Sequence, residues 1–215
     1  FGLKSQNAVR TEELCVPTVK THLPITCALP DDQGTAVVFG GGSSYQNTGG
    51  QLVIGDLTAD ALLHSTPDTV IIRSGSPSAG ETYTFETEML QMSLSGINRV
   101  LDIPVNGEIR TSPRTPGDPV QPFDTEMRRL EGHLPPGDPD FDLLRIVGGT
   151  DFGMPSPGHT TLTKLPGGPN WAVDSFFDIE YEIEFIGAPG GPFSGMSGSP
   201  TGTIRMQTNA YKCVG

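Results

Sequence analysis

The residues whose types and spacing best suit chemistry are three aspartates at alternate positions of one turn. Asp138, Asp140 and Asp142 form the sequence Asp-Pro-Asp-Phe-Asp directly after Pro135-Pro-Gly. Hard cations such as Ca2+ take several carboxylate oxygens from loops of this kind. The glycine and the terminal glutamate that an EF-hand needs at fixed offsets are missing, so the turn is either a different Ca2+ site or an ordinary solvated turn. We expect no other metal and no cofactor.

A second acidic group lies on the stretch from Phe176 to Gly187, in which apolar and acidic residues alternate strictly from Phe177 to Phe185. Side chains reverse face at every residue of a strand, so this pattern predicts one long strand with an apolar face and an acidic face. The acidic face carries Asp178, Glu180, Glu182 and Glu184.

Like charges opposite one another destabilise a sheet, so we expect neutral or basic neighbours for these acids, with Arg205 suited to a cross-strand position. The acidic face is then either an ordinary solvent-exposed surface or a contact surface for basic groups or cations.

Signs of catalysis are absent from the sequence. Neither Ser194 nor Ser197 satisfies Gly-x-Ser-x-Gly, and the four histidines are widely spaced without a metal-binding pattern. The single tryptophan, Trp171, follows Pro166-Gly-Gly-Pro-Asn. Its ring either contacts a ligand or caps one end of the core. We therefore expect no catalytic residues and no enzymatic activity.

The charge balance restricts the partners. The chain has 25 acidic and 13 basic residues, a formal net charge of -12. Nucleic acid and anionic membranes both require a basic footprint, so this balance argues against them. No apolar run approaches the ~18–20 residues of a membrane-spanning helix. Cations or a basic protein surface remain as partners.

The three cysteines, Cys15, Cys27 and Cys213, are too few for a disulfide framework. In an oxidising compartment Cys15 and Cys27 are the pair we expect to bridge, which leaves a spare thiol that could bond a neighbour. Three reduced cysteines are equally compatible with the sequence.

The fold class follows from many short β-branched or alternating runs separated by turns, in a chain with 28 glycines and 20 prolines among 215 residues. We predict an all-β protein, an antiparallel β-sandwich of the jelly-roll or Ig-like kind, over residues 36–215. Residues 1–35, interrupted by several prolines, are either an extended N-terminal arm or a peripheral segment of the same domain. The Pro-rich stretch 111–122 is the best candidate for an internal boundary.

Three local patterns make sharper predictions. In Phe85–Met89 and Phe123–Met127 the residues expected to face inward occupy odd-numbered positions through the methionine. The apolar residues that follow each segment occupy even-numbered positions, and a β-bulge produces such a change of face. Asn106-Gly107 predicts a two-residue hairpin, placed at a sheet edge because Pro104 cannot donate to a ladder. Asp60–His64 is compatible with a single helical turn.

The C-terminal third contains Asp174-Ser-Phe-Phe-Asp, Gly187-Ala-Pro-Gly-Gly, Ser194-Gly-Met-Ser-Gly and Gly202-Thr-Ile-Arg-Met. This combination resembles segments of secreted bacterial β-rich proteins of no assigned function. The resemblance implies an extracellular location and transfers no catalytic residues.

The functional hypothesis is a secreted or cell-surface structural protein that assembles with copies of itself into a filament or layer. The N-terminal arm would add a strand to a neighbour's sheet. The alternative is an extracellular carbohydrate- or ligand-binding module assisted by Ca2+, using Trp171 and the aspartate turn.

Overall fold

The computed structural model describes residues 36–39, 44–95, 99–167, 171–208 and 211–213, with the backbone alone at 36–39 and 211–213. The predicted arm, Cys15 and Cys27 lie outside the described residues. The described chain forms one 3-10 turn, Thr150–Phe152, and fourteen strands: β1 (Ala36–Phe39), β2 (Ser44–Gly49), β3 (Leu52–Ile54), β4 (Leu57–His64), β5 (Val70–Ser76), β6 (Gly80–Leu94), β7 (Arg99–Thr111), β8 (Val120–His133), β9 (Phe141–Gly148), β10 (Pro157–Lys164), β11 (Trp171–Gly187), β12 (Ser197–Gly198), β13 (Thr201–Gln207) and β14 (Tyr211–Cys213).

All of these strands belong to one antiparallel sheet. From β4, the hydrogen-bonded neighbours run through β6, β7, β8, β10, β11, β13 and β2 and return to β4, so the sheet closes on itself. The prediction of an antiparallel all-β protein is confirmed. The two stacked layers of a β-sandwich are not, because a single curved sheet buries one face of every long strand around a shared interior.

The acidic strand predicted from the sequence is β11, the longest in the sheet at 17 residues. Two shorter strands, β10 and β9, lie end to end along one side of it, and β14, β13 and β12 lie along the other. Its burial alternates without interruption from Trp171 to Gly187. The long uninterrupted strand therefore sets the register for five shorter ones.

Tyr181 of β11 adds side-chain hydrogen bonds to the chain that follows β2, a strand of the ladder that closes the sheet. Its hydroxyl donates to the carbonyl oxygen of Gln51 at 2.9 Å and accepts from the Val53 amide at 3.1 Å, at the junction of β2 and β3. The ring reaches this junction by crossing β13 at Gly202, where an added Cβ would lie 2.7 Å from the hydroxyl oxygen. One side chain of β11 thus crosses β13 and hydrogen-bonds the backbone just after β2, beyond the end of the β13–β2 ladder.

Apolar side chains fill one part of the interior of the closed sheet. Its cavity of about 20 Å³ is lined by leucine, isoleucine, alanine, methionine and the ring of Tyr181. A space of this size holds at most about one water, and apolar lining keeps such a space dry. This part of the interior is therefore a packed core.

Both predicted bulges are present. On β8 the register slips by one residue at Arg128, between inward-facing Met127 and Leu130. On β6 the slip lies between Phe85 and Glu88, earlier than predicted, because Glu88 and not Met89 continues the buried face. The bulged Thr87 has a φ of 60°, which a β-branched residue rarely adopts.

The predicted hairpin at Asn106-Gly107 is wrong, since β7 runs straight through both residues. They serve the β6 bulge instead. The Asn106 side-chain oxygen accepts the amide of Thr87 at 3.0 Å, and a Cβ on Gly107 would lie 2.3 Å from the Phe85 ring. The helical turn predicted at Asp60–His64 is also wrong, because these residues belong to β4.

The Pro-rich stretch 111–122 connects β7 to β8, and these two strands pair with each other within the same sheet. Over the described part of the chain, no helix has the length and apolar character needed to cross a membrane.

Candidate functional site

A buried charged cluster lies inside one end of the closed sheet. It is formed by Arg73 on β5, Glu81 on β6 and Arg114 in the connection between β7 and β8. All three are nearly inaccessible, with exposed fractions of 3%, 3% and 7%. Arg73 and Glu81 face inward because they share the alternation of the buried residues Ile71 and Tyr83 on their own strands.

Both terminal nitrogens of Arg114 are engaged with neighbouring side chains, whereas its Nε is buried without a partner among the described residues. One terminal nitrogen donates to Glu81 Oε2 at 2.8 Å and the other to Gln121 Oε1 at 2.6 Å. Its guanidinium also lies 5.4 Å from the centroid of the Phe123 ring. These contacts tie the β7–β8 connection to the interior of the sheet.

Arg73 is held much less well. Its Nε lies 3.9 Å from Glu81 Oε1, beyond hydrogen-bonding distance, and both atoms are buried without a hydrogen-bond partner among the described residues. Within the part of the chain that the structure describes, no hydrogen bond from the Arg73 side chain is formed. The cluster therefore places two guanidinium groups against one carboxylate.

Tyr83 completes the cluster. Its hydroxyl donates to Glu81 Oε2 at 3.2 Å. Burial raises the pKa of Tyr83 well above its usual value, and the neighbouring Glu81 carboxylate raises it further. The hydroxyl is therefore a neutral donor at physiological pH.

Buried hydroxyl groups continue this polar character onto neighbouring strands. Thr160 and Ser175 lie 2.8 Å apart, and the Ser175 amide donates to the Thr208 hydroxyl at 3.1 Å. The interior is thus divided between a polar, charged part and the apolar part that encloses the cavity. Recognition of a polar group is the chemistry that the charged part supports.

The aspartates predicted to bind Ca2+ are engaged with a different partner. The Arg99 guanidinium donates to both Asp138 and Asp140. Asp138 also accepts the amides of Asp140 at 2.9 Å and Phe141 at 3.2 Å, while Asp142 is exposed. Across the described residues no group of three histidine, cysteine, aspartate or glutamate side chains could hold a metal. A cation at this turn would have to displace Arg99, and Ca2+ binding stays a prediction.

The acidic face of β11 has the neighbours that charge repulsion predicts. Asp178 pairs with Arg205 through two hydrogen bonds, of 2.7 and 2.5 Å. The hydrogen bond from Arg205 lowers the pKa of Asp178. The other acids lie opposite neutral or basic residues: Glu180 opposite Thr203, Glu182 opposite Thr201 and Val147, and Glu184 opposite Arg145.

Trp171 lies in the core with 3% of its surface exposed. The ammonium group of Lys164 is 5.8 Å from its ring centroid. This placement matches the interpretation of Trp171 as a ring that caps the core, and its contact with a ligand stays a prediction.

The charged cluster was not predicted from the sequence, although one signal for it was present. Glu81 lies on the same strand face as the apolar residues Tyr83 and Phe85. A charged residue on an otherwise apolar face could have indicated a buried charge. Arg114 carries no such signal, because it lies in a proline-rich connection whose path the sequence does not specify. Comparison with protein families, with curated proteins and with solved structures finds no match to this chain.

Proposed function

We propose that this chain is a non-enzymatic, secreted structural protein that assembles with copies of itself through the free edge of β1. The observation that carries the proposal is the pairing of this strand. β1 pairs with β5 on one side and has no second ladder partner among the described strands. The ladder that closes the sheet, between β13 and β2, has only three residue pairs and does not include β1.

The composition of β1 supports assembly at this edge. Its sequence is Ala-Val-Val-Phe, with no charge and no proline. Exposed edge strands in proteins that stay monomeric usually carry lysine, proline or a bulge, because unpaired backbone groups recruit other strands. An uncharged β-branched edge therefore favours addition of a strand from a second copy.

The packed interior favours a structural role over transport of a ligand. A carrier requires an internal volume of several hundred Å³ for a drug-sized ligand, whereas the cavity here has about 20 Å³. The alternative function, a carbohydrate-binding module, has no specific observation in its favour because Trp171 is buried and two of the three aspartates bind Arg99.

Assembly can be tested by sedimentation velocity and electron microscopy on the full chain, a truncation lacking residues 1–30, Val37→Pro and Val38→Pro. Residues that alternate along an antiparallel strand direct their amides to opposite sides. One proline variant therefore loses an amide facing β5 and the other loses an amide at the free edge. We expect the full chain to form ordered assemblies and the edge-facing variant to stay monomeric with unchanged stability.

The truncation identifies which strand the edge receives. If the truncation is monomeric, the neighbour's N-terminal arm is the added strand; if it still assembles, the edge pairs with another strand of the neighbour. A full chain that is monomeric at every concentration would overturn the proposal, as would assemblies insensitive to all three changes.

The secreted location is part of the proposal and is supported by the resemblance of the C-terminal third to secreted proteins. An oxidising compartment predicts a bridge between Cys15 and Cys27. The intact mass of the natively isolated protein should then rise by two hydrogens on reduction, and three free thiols before reduction would count against an extracellular origin.

A further inference from the structure

We propose that Arg73 anchors an anion-binding site inside the closed sheet, whose ligand is a small carboxylate or inorganic oxyanion. The inference is independent of self-assembly. It combines an excess of buried positive charge with a guanidinium group that lacks hydrogen-bond acceptors.

The buried cluster carries more positive than negative charge. Arg73 and Arg114 each carry a positive charge, and Glu81 supplies the single carboxylate within the cluster. The side chains of all three are at most 4% exposed. An uncompensated charge is costly in such an environment, because water is excluded and the interior polarises weakly. One bound monoanion would make the cluster neutral.

The Nε–H donor of Arg73 also lacks an acceptor among the described residues. A guanidinium group has five N–H donors, and buried donors almost always have partners, either in the protein or in bound water or ions. Arg73 Nε is completely buried and has no partner among the described residues, and the same holds for Arg114 Nε. A carboxylate or oxyanion accepts two parallel N–H donors from one guanidinium, so it satisfies both the charge and the donors.

Glu81 does not form a hydrogen bond with Arg73 in the structure, although its Oε1 has no other partner among the described residues. Its Oε2 already accepts Arg114 and Tyr83. Its Oε1 is 3.9 Å from Arg73 Nε, too far for a hydrogen bond. Moving Glu81 toward Arg73 would weaken its 2.8 Å contact with Arg114, so the existing carboxylate does not serve both arginines at hydrogen-bonding distance.

The position of Arg73 also offers a route of entry. In the β1–β5 ladder, Arg73 lies opposite Ala36 of β1. β1 has one ladder partner among the described strands, and strands with few partners open at lower free-energy cost than central ones. Local opening of β1 in an unassembled chain would expose Arg73 without unfolding the sheet.

The test is thermal unfolding of the full-length wild type, Arg73→Met and Arg205→Met at constant ionic strength in chloride, acetate or phosphate. Arg205 is the matched control because it is an exposed arginine on the outer face. For wild type and Arg205→Met, we expect Tm to rise with acetate or phosphate, by about 5–10 °C at a hundredfold excess over Kd. Arg73→Met should show no such rise.

A wild-type Tm that is independent of anion identity would overturn the proposal. An equal rise in Arg73→Met would also overturn it, since binding would then lie elsewhere, and a response to chloride alone would exclude the oxyanion. If Arg73→Met does not fold, Arg73→Lys replaces it, because this variant keeps the charge and loses the planar fork of donors. Its rise should be smaller than that of wild type, and an equal rise would contradict the proposed geometry.

Discussion

Tyr181→Phe tests how the sheet closes. The substitution keeps the ring and removes the hydroxyl that donates to Gln51 and accepts from Val53. Two backbone groups at the β2–β3 junction then lose their partner. A partly buried group left without a hydrogen bond costs about 1–3 kcal/mol, and solvent can reach this junction in part, so we expect a total loss of about 2 kcal/mol. For a chain of this size that loss lowers Tm by about 4–8 °C.

The effect of Tyr181→Phe should be local as well as global. Hydrogen exchange followed residue by residue should show faster exchange at the Val53 amide, with little change in the central strands β7 and β8. Tyr83→Phe is the matched control, because it also removes a buried tyrosine hydroxyl but one that contacts Glu81. Exchange at Val53 should be unchanged in the control.

The pH dependence of stability gives a second check on Tyr181. Burial raises its pKa in the folded protein. A tyrosine whose pKa is raised by folding stabilises the folded protein as long as pH is below its unfolded pKa of ~10. This stabilisation is lost as pH rises above that value, because the hydroxyl then ionises more readily in the unfolded chain. The stability difference between wild type and Tyr181→Phe should therefore narrow above pH ~10. A change in unfolding free energy below about 0.5 kcal/mol, with unchanged exchange at Val53, would refute the role assigned to this hydroxyl.

Three further substitutions test the bulge and the acidic face. Gly107→Ala places a Cβ 2.3 Å from the Phe85 ring and 2.5 Å from the Arg129 carbonyl oxygen. Denaturant unfolding should therefore show a loss of about 1–3 kcal/mol in unfolding free energy. Adding Phe85→Leu should relieve this loss only in part, because the contact with the backbone remains. Thr87→Asn should stabilise the protein by about 0.5–1 kcal/mol, since asparagine tolerates a φ of 60° better than threonine, and a destabilised variant would contradict this account of the bulge. Asp178→Asn removes an exposed ion pair and should have a smaller effect than Tyr181→Phe. Because the pKa of Asp178 is lowered, its contribution is present at pH 7 and is lost as pH falls below ~4, so an effect that persists in acid would argue against the pair.

Much of the local structure was predictable because the strands carry their own burial pattern. The alternation along β11 specifies its inward and outward faces without reference to any other strand. The same holds for the bulge at Arg128, which shows as a change of phase between Met127 and Leu130. The basic neighbour of Asp178 followed from charge repulsion alone.

The predictions that were wrong concern residues whose partners are distant in sequence. Asn106-Gly107 has the composition of a hairpin turn, yet it lies opposite a bulge on β6, where the asparagine oxygen and the missing Cβ meet Thr87 and Phe85. Alternation shows which residues are buried but not whether they face a second sheet or the inside of a closed one. Closure depends on the pairing of β2 with β13, which are more than 150 residues apart.

The candidate site was the least predictable feature. The acids that stand out in the sequence, Asp138 and Asp140, bind Arg99. The buried charges come from three separate segments that converge only in the folded sheet. Arg114 reaches this cluster from a proline-rich connection, so its burial could not be anticipated from periodicity.

The central claim is that a second copy pairs with the free edge of β1, and hydrogen exchange of the amides in 36–39 at increasing protein concentration tests it most directly. The account predicts that exchange in β1 slows as concentration rises, while exchange in β7, which is paired on both sides, stays constant. Exchange in β1 that is independent of concentration, in a chain that sediments as a monomer throughout, would contradict it.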